Sequence, residues 1–393
     1  MINNIEIASL KRKIADLIID QIKTGEQSNG LKDAYACGQF INEKNLKQRG
    51  IHGTAAAIRV LASYNGTYND EIRRLVNYLQ HRNEFDKDIK IENYIEKDKK
   101  NIIKIGEILY ALSFVKQGCA DTREYIKELS GLLKSSIKNT ESWNFFTDSN
   151  EPSDILPTAF AYLGLRSNNF DDLEPVEKYL AKTISDLCQK DRIDNPSTFA
   201  KVHVAMYVLS KFDIDCKQSS NLKRLSKSQF FTFNYSVEQN IEYPYDYEHF
   251  YVRIPWQLYF LSVASKNSPK LFTKKNSRRR ITDICEMVNN LGFKYTQSGK
   301  ELSSRTNAIL FDTLDFIEKH LKKSTLYYFY SIINDIIWFF NRKWLKILLL
   351  VIIILCMFFS IFKWVNNPNT ENSDLAPEFI GYFVSLMILS LKR

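Results

Sequence analysis

Six stretches of this chain carry one signature, and their spacing leaves few folds open. They are IHGTAAAIRVLA from residue 51, NIIKIGEILYALSF from 101, ILPTAFAYLGLR from 155, TFAKVHVAMYVLSKF from 198, YVRIPWQLYFLSVA from 251 and SSRTNAILFDTLDFI from 303. Each is apolar or rich in small residues along most of its length. Aligned on Thr54, Ile105, Thr158, Val202, Ile254 and Thr306, they recur every 44 to 53 residues. Between them lie more polar segments with a single apolar stripe, such as NDEIRRLVNYLQHRNEF, TREYIKELSGLLKSS and DLEPVEKYLAKTISDLCQ. A helix apolar all round is buried on every side, and a striped one covers a core. Only 13 Gly and 9 Pro occur among 393 residues, which suits long helices and not a many-turned β fold. The repeated unit is therefore a helical hairpin with an inner and an outer helix.

Short aromatic patches and loops precede several inner copies: SWNFFTDSNEPSD before the third, FFTFNYSVEQNIEYPYDYEH before the fifth, LGFKYTQSGKELS before the sixth. Six such turns, with Ala55, Ala56, Ala57 and Ala159 where inner helices crowd, predict an all-α fold, an (α/α)6 toroid over residues 1–324. An open solenoid of helix pairs is the competing architecture. SWNFFTDSNEPSDILPTAFAYLGLR and IHGTAAAIRVLA resemble the repeats of (α/α)6 toroids of the terpenoid cyclase and protein prenyltransferase type. The resemblance covers roughly residues 5–321 and implies an architecture, not an activity.

The end of the chain is different. Residues 347–362 hold no charge, and Trp344 and Trp364 bracket them. Twenty helical steps of about 1.5 Å span about 30 Å, the thickness of a bilayer core. Tryptophans mark the interfaces, and Arg342, Lys343 and Lys346 place the preceding side in the cytoplasm. After the polar NNPNTENSDLAPE comes FIGYFVSLMILSLKR, whose apolar part spans only about 20 Å as a helix. A second crossing that returns Lys392 and Arg393 to the cytoplasm, a re-entrant helix and an interfacial helix all remain open. The expected organisation is an amphipathic interfacial or stalk helix at 325–343 and a membrane domain at 344–393. That domain would hold a span at 344–364 and a short segment at 376–391, forming a C-terminal transmembrane hairpin. A two-pass hairpin encloses no pore, so conduction requires a homo-oligomer. The N-terminal MINNIEIASLKRKIADLIID lacks a signal peptide's apolar core, and six scattered cysteines form no CxxC pair. Both fit an inner (plasma) membrane protein with a cytoplasmic N-terminal domain.

Catalytic chemistry finds little support. The cationic cyclases use an Asp-x-Asp-Asp acid, and Asp213-Ile214-Asp215-Cys216 lacks its last member. Asp171-Asp172-Leu173-Glu174 opens an outer helix, where acids complement the dipole. None of His52, His81, His203, His249 and His320 is paired with a cysteine at zinc-ligand spacing. Asp148, Asp154, Asp194, Asp246 and Glu248 lie in loops, where acids are common. No phosphate-binding loop, GxSxG or dinucleotide fingerprint appears. No catalytic set, metal or cofactor is expected.

Positive charge is what the inner helix starts offer. Arg49, His52, Lys201, His203, Arg253 and Arg305 sit at or near them, within a chain of net charge +9. Tyr247, Tyr251 and Trp256 lie close by in sequence. Bases with aromatic faces suit a ligand with phosphates and nucleobases, through charge-assisted hydrogen bonds and stacking. The plainer alternatives are bases that solvate a rim and tyrosines that fill a corner. The Arg278-Arg279-Arg280 run reads as a solvated loop or a contact for lipid or nucleic acid.

In layout, a helical sensor followed by C-terminal membrane helices, the chain resembles membrane effectors of bacterial antiphage defence. It is most similar to the transmembrane effector of the Hailong system. That resemblance implies a tetrameric ion channel held closed by a cyclic deoxyadenylate signal from a nucleotidyltransferase encoded nearby. A membrane-anchored enzyme acting on isoprenoid or glycan-lipid substrates and a ligand-free membrane scaffold are the alternatives. Deleting everything after Arg342 is expected to move the chain from the membrane pellet to the supernatant on ultracentrifugation. Continued pelleting with lipid would place the anchor elsewhere.

Overall fold

A computed structural model describes residues 4–29, 34–38, 50–81, 100–148, 150–189, 196–215, 218–225, 304–316 and 318. Among them are ten helices and no strand, so this part of the chain is all-α. The chain divides into two compact units, Met1–Ser324 and Thr325–Arg393. Every described residue belongs to the first. The helix expected at 325–343, the span at 344–364 and the segment at 376–391 lie outside the described residues. Among those described, no helix is long and apolar enough to cross a membrane.

The helices are α1 (Asn4–Asn29), α2 (Ile51–Ala62), α3 (Asn69–Gln80), α4 (Ile102–Leu112) and α5 (Arg123–Ser136). There follow α6 (Ile155–Ser167), α7 (Glu174–Gln189), α8 (Pro196–Lys211), α9 (Gln218–Leu225) and α10 (Ser304–Phe316). They fall into two classes. In α6 every residue from Ile155 to Leu165 is buried, as expected of a helix with neighbours on all sides. In α7 only Val176, Leu180, Ile184 and Cys188 are buried, a stripe with one residue per turn. The inner class packs in series: α10 on α2, α2 on α4, α4 on α6, α6 on α8. The outer class covers it. Helix α1 lies on α10 and α2, α3 on α2, α5 on α4, and α7 on α6 and α8, with α9 on α7. The fifth inner copy, from residue 251, lies outside the described residues.

Two corners show how the repeat is built. Thr158, in the first turn of α6, accepts a hydrogen bond from Trp143 N (3.0 Å) and donates to Asp154 O (2.7 Å). Thr54, in the first turn of α2, accepts from Cys37 N (3.1 Å) and donates to Gly50 O (2.9 Å). The residue before each helix closes the same loop: Asp154 N donates to Trp143 O (3.0 Å), and Gly50 N to Cys37 O (3.3 Å). Each corner also holds the start of a second inner helix. Ile102 N donates to Phe145 O (3.0 Å) at the start of α4, and the Ser304 hydroxyl donates to Gly38 O (2.7 Å) at the start of α10. Residues 34–38 thus stand between α10 and α2 as residues 143–147 stand between α4 and α6. Trp143 fixes its corner to the outer layer, since its buried indole donates to Leu133 O of α5 (2.8 Å).

The alanines expected at crowded positions, Ala55, Ala56, Ala57 and Ala159, are buried. Between α4 and α6, however, the closest approach belongs to glycines. A Cβ on Gly106 would lie 2.3 Å from the carbonyl oxygen of Phe160, and one on Gly164 would lie 2.7 Å from that of Gly106. Helices α4 and α6 therefore touch backbone to backbone. Gly106→Ala should lower unfolding stability by about 1–3 kcal/mol in a denaturant titration, because backbone must move to admit the methyl group. Gly131→Ala, where a Cβ on α5 meets nothing within 4 Å, should raise it by about 0.5–1 kcal/mol.

Candidate functional site

A charge on a helix surrounded by apolar neighbours needs a partner, because burying it alone is costly. The inner helices carry several. His52 and Arg59 lie two turns apart on α2, as do Arg305 and Asp312 on α10, and Glu107 lies on α4. They form two layers.

The first layer lies near the starts of α2 and α10. His52 Nδ1 meets Glu107 Oε2, and Arg305 Nε lies 2.8 Å from Glu107 Oε1. The Glu107 side chain is 7% exposed, against 30% for His52 and 20% for Arg305. The carboxylate is thus the least accessible of the three, and the two bases reach solvent. The Arg305 guanidinium lies 4.9 Å from the ring centroid of Phe160 on α6. Its Nε is buried without a well-directed acceptor, and Glu107 is its ion-pair partner among the described residues. Burial pushes the Glu107 carboxyl up. Arg305, then His52 and Arg59, outweigh that and hold it at about 2. It is ionised at neutral pH and accepts only, so the proton of the His52 contact resides on Nδ1.

The second layer lies towards the ends of the same helices. Arg59 pairs with Asp312 Oδ2, which also accepts from the Tyr207 hydroxyl (2.9 Å). Lys211 Nζ donates to Tyr207 Oη (3.0 Å) and lies 3.7 Å from Asp312. Arg59 and Lys211 both sit against the ring of Tyr110, at 4.6 and 4.7 Å from its centroid. Burial raises the Asp312 carboxyl, but Arg59 and Lys211 hold it below the usual carboxylate range. Burial likewise opposes the charge on Arg59, and Asp312 overcomes it. This layer joins α2, α4, α8 and α10. Because starts meet starts and ends meet ends, these inner helices run parallel.

No family model, curated protein or solved structure matches this chain. The chemistry of the site therefore rests on its own residues. Among the described residues no group of three His, Cys, Asp or Glu side chains is placed to hold a metal ion. Arg59, Lys211 and Arg305 stand against Glu107 and Asp312, so the two layers carry one net positive charge with His52 neutral. Asp213 adopts a left-handed turn conformation (φ 58°), and Glu174 pairs with Lys178 in the first turn of α7 (2.7 Å). Neither acidic segment contributes to the layers.

Of the bases expected at the helix starts, His52 and Arg305 come together on Glu107. Lys201 does not join them: its Nζ lies 2.6 Å from Asp154, the N-cap of α6, and ties α8 to that helix start. His203 is fully buried within α8. Arg49, Tyr247, Tyr251, Arg253, Trp256 and the run Arg278-Arg279-Arg280 lie outside the described residues. Glu107, Arg59, Asp312 and Lys211 are not legible as site residues from local sequence, since they lie at neither a helix start nor a loop. The available signal was a lone charge inside an apolar stretch: Glu in GEILYAL, Arg in AAAIRVLA, Asp in AILFDTL.

Removing one member of the second layer should be far worse than removing a pair. Arg59→Leu alone should cost about 3–5 kcal/mol, because Asp312 stays buried without its main partner. The double variant Arg59→Leu/Asp312→Leu should cost less than Arg59→Leu alone in a double-mutant cycle read by urea unfolding. Additive costs would mean that the pair is not coupled.

Proposed function

We propose that the protein is a membrane effector of bacterial antiphage defence. Its cytoplasmic toroid, residues 1–324, binds a nucleotide or other small anionic signal, cyclic oligonucleotides included. The signal gates an oligomeric channel built from residues 344–393. Arg305 carries this assignment. A guanidinium laid on an aromatic ring, with a single carboxylate for a partner among the described residues, keeps donors in a planar fork that matches a phosphate. His52 adds a second donor, and the nearby starts of α2 and α10 add partial positive charge.

Two further observations support the architecture and the class. The packing of α10 on α2, with residues 34–38 between them, supports a closed (α/α)6 toroid. In an open solenoid the first and last copies lie at opposite ends. A cyclase would need a protonated acid at the base of its cavity. Glu107 and Asp312 are both held ionised, which favours signal binding over that chemistry. The layout resemblance adds a homotetramer in the inner membrane and a nucleotidyltransferase encoded nearby as the source of the signal. The ligand acts by preferring one arrangement of the toroid over another. It draws on Arg305 at the start of α10, the last described helix before the chain enters the membrane segment.

The test is a thermal-shift screen of full-length protein in detergent against linear and cyclic adenine nucleotides. Ion flux through proteoliposomes is measured with and without each hit. A ligand at a hundred times its dissociation constant stabilises by about 2.7 kcal/mol. Arg305→Lys keeps the charge beside Glu107 but loses the fork, and should weaken binding by about tenfold or more. Wild-type affinity in that variant, or a screen with no hit, would sink the assignment.

A further inference from the structure

The two solvent-reaching bases of the first layer are already occupied, and by one group. His52 and Arg305 share the carboxylate of Glu107. A ligand phosphate therefore gains these bases only as Glu107 gives them up, or it binds beside a fixed negative charge. We propose that Glu107 is a displaceable internal counter-ion, and that the site accordingly selects a ligand ending in a phosphate monoester. This rests on the anion-binding site proposed above.

Charge decides between ligand classes. A phosphodiester brings one negative charge, the same as the carboxylate it displaces, and gains little. A monoester carries about −1.5 to −2 at neutral pH and three terminal oxygens, so it can engage the Arg305 fork and His52 together. A cyclic oligonucleotide, which holds only diesters, is the weaker competitor. The displaced carboxylate also has somewhere to go. Glu107 and Tyr110 lie one turn apart on α4, and Arg59 lies 4.6 Å from the Tyr110 ring centroid. Arg59 Nε is buried and has no acceptor among the described residues. Arg59 already acts on Glu107 electrostatically, so a carboxylate turned from Arg305 towards Arg59 keeps an opposite charge beside it. The carboxylate then has two positions, one in each layer, and the ligand decides between them. The second layer joins four inner helices, so the move is passed to α2, α4, α8 and α10 at once.

The experiment is calorimetric titration of full-length protein in detergent with AMP, 3′,5′-cyclic AMP and inorganic phosphate. The wild type should bind AMP more tightly than cyclic AMP by about tenfold or more, the scale of one added charge-assisted contact. Glu107→Gln removes the competing charge at constant shape. It should raise the affinity for both nucleotides, because neither then has to displace a carboxylate, and the preference for AMP should persist. Equal wild-type affinities for the two nucleotides overturn the proposal without any variant. So does a Glu107→Gln protein that loses AMP affinity, since Glu107 would then be holding Arg305 for the ligand. Phosphate binding as tightly as AMP supports the monoester claim and identifies the bare phosphate as the group recognised. If no probe binds and Arg305→Lys changes nothing, the anion site itself falls, and this inference with it.

Discussion

A charge buried among apolar helices costs several kcal/mol unless an opposite charge meets it, and in the two layers the meeting is between helices. Arg59 of α2 meets Asp312 of α10, and Glu107 of α4 meets both His52 of α2 and Arg305 of α10. Segments at opposite ends of the first unit are thereby required to be neighbours. The inner helices cannot slide or separate without stripping a carboxylate of its partner, so the ion pairs set their register. Apolar packing alone is far more tolerant of such shifts.

Backbone contacts at the helix starts fix the same arrangement independently. Thr54 and Thr158 each receive an N–H from a corner residue and return their own proton to the helix start. A β-branched hydroxyl does this with little loss of freedom, because its χ1 is already restricted. Both corners hold two inner helices at once. Glycine at positions 106 and 164 then lets α4 and α6 approach until backbone meets backbone. The approach brings Phe160 of α6 under the guanidinium of Arg305.

The site that results is paired but not saturated. Among the described residues, Arg305 has an aromatic face on one side and one carboxylate for its donors, and both bases of the first layer are more open than the acid. The second layer is closer to the reverse: Asp312 accepts from Arg59 and Tyr207, all three with little exposure, and Lys211 beside them reaches solvent. One layer suits exchange with a ligand and the other suits holding helices together. Arg59, which faces both carboxylates electrostatically, connects them.

How much was legible beforehand follows from the range of each effect. Helical periodicity is local, set by residues three and four apart, so the apolar copies at 51, 101, 155, 198 and 303 mark α2, α4, α6, α8 and α10. The striped segments between them mark α3, α5 and α7 for the same reason. His52 and Arg305 could be singled out because a helix start is a local feature. Their common partner could not, since Glu107 sits in mid-helix and meets them only through packing. The corner at 34–38 was missed because AYACG carries a small sulfur residue where SWNFF carries tryptophan, and only the shared hydrogen bonds reveal the equivalence. By itself, then, the sequence determined which segments are helices and which faces of them are buried. Which charges pair was decided by the tertiary structure alone, because Arg59 and Asp312 lie 253 residues apart and no local rule relates them.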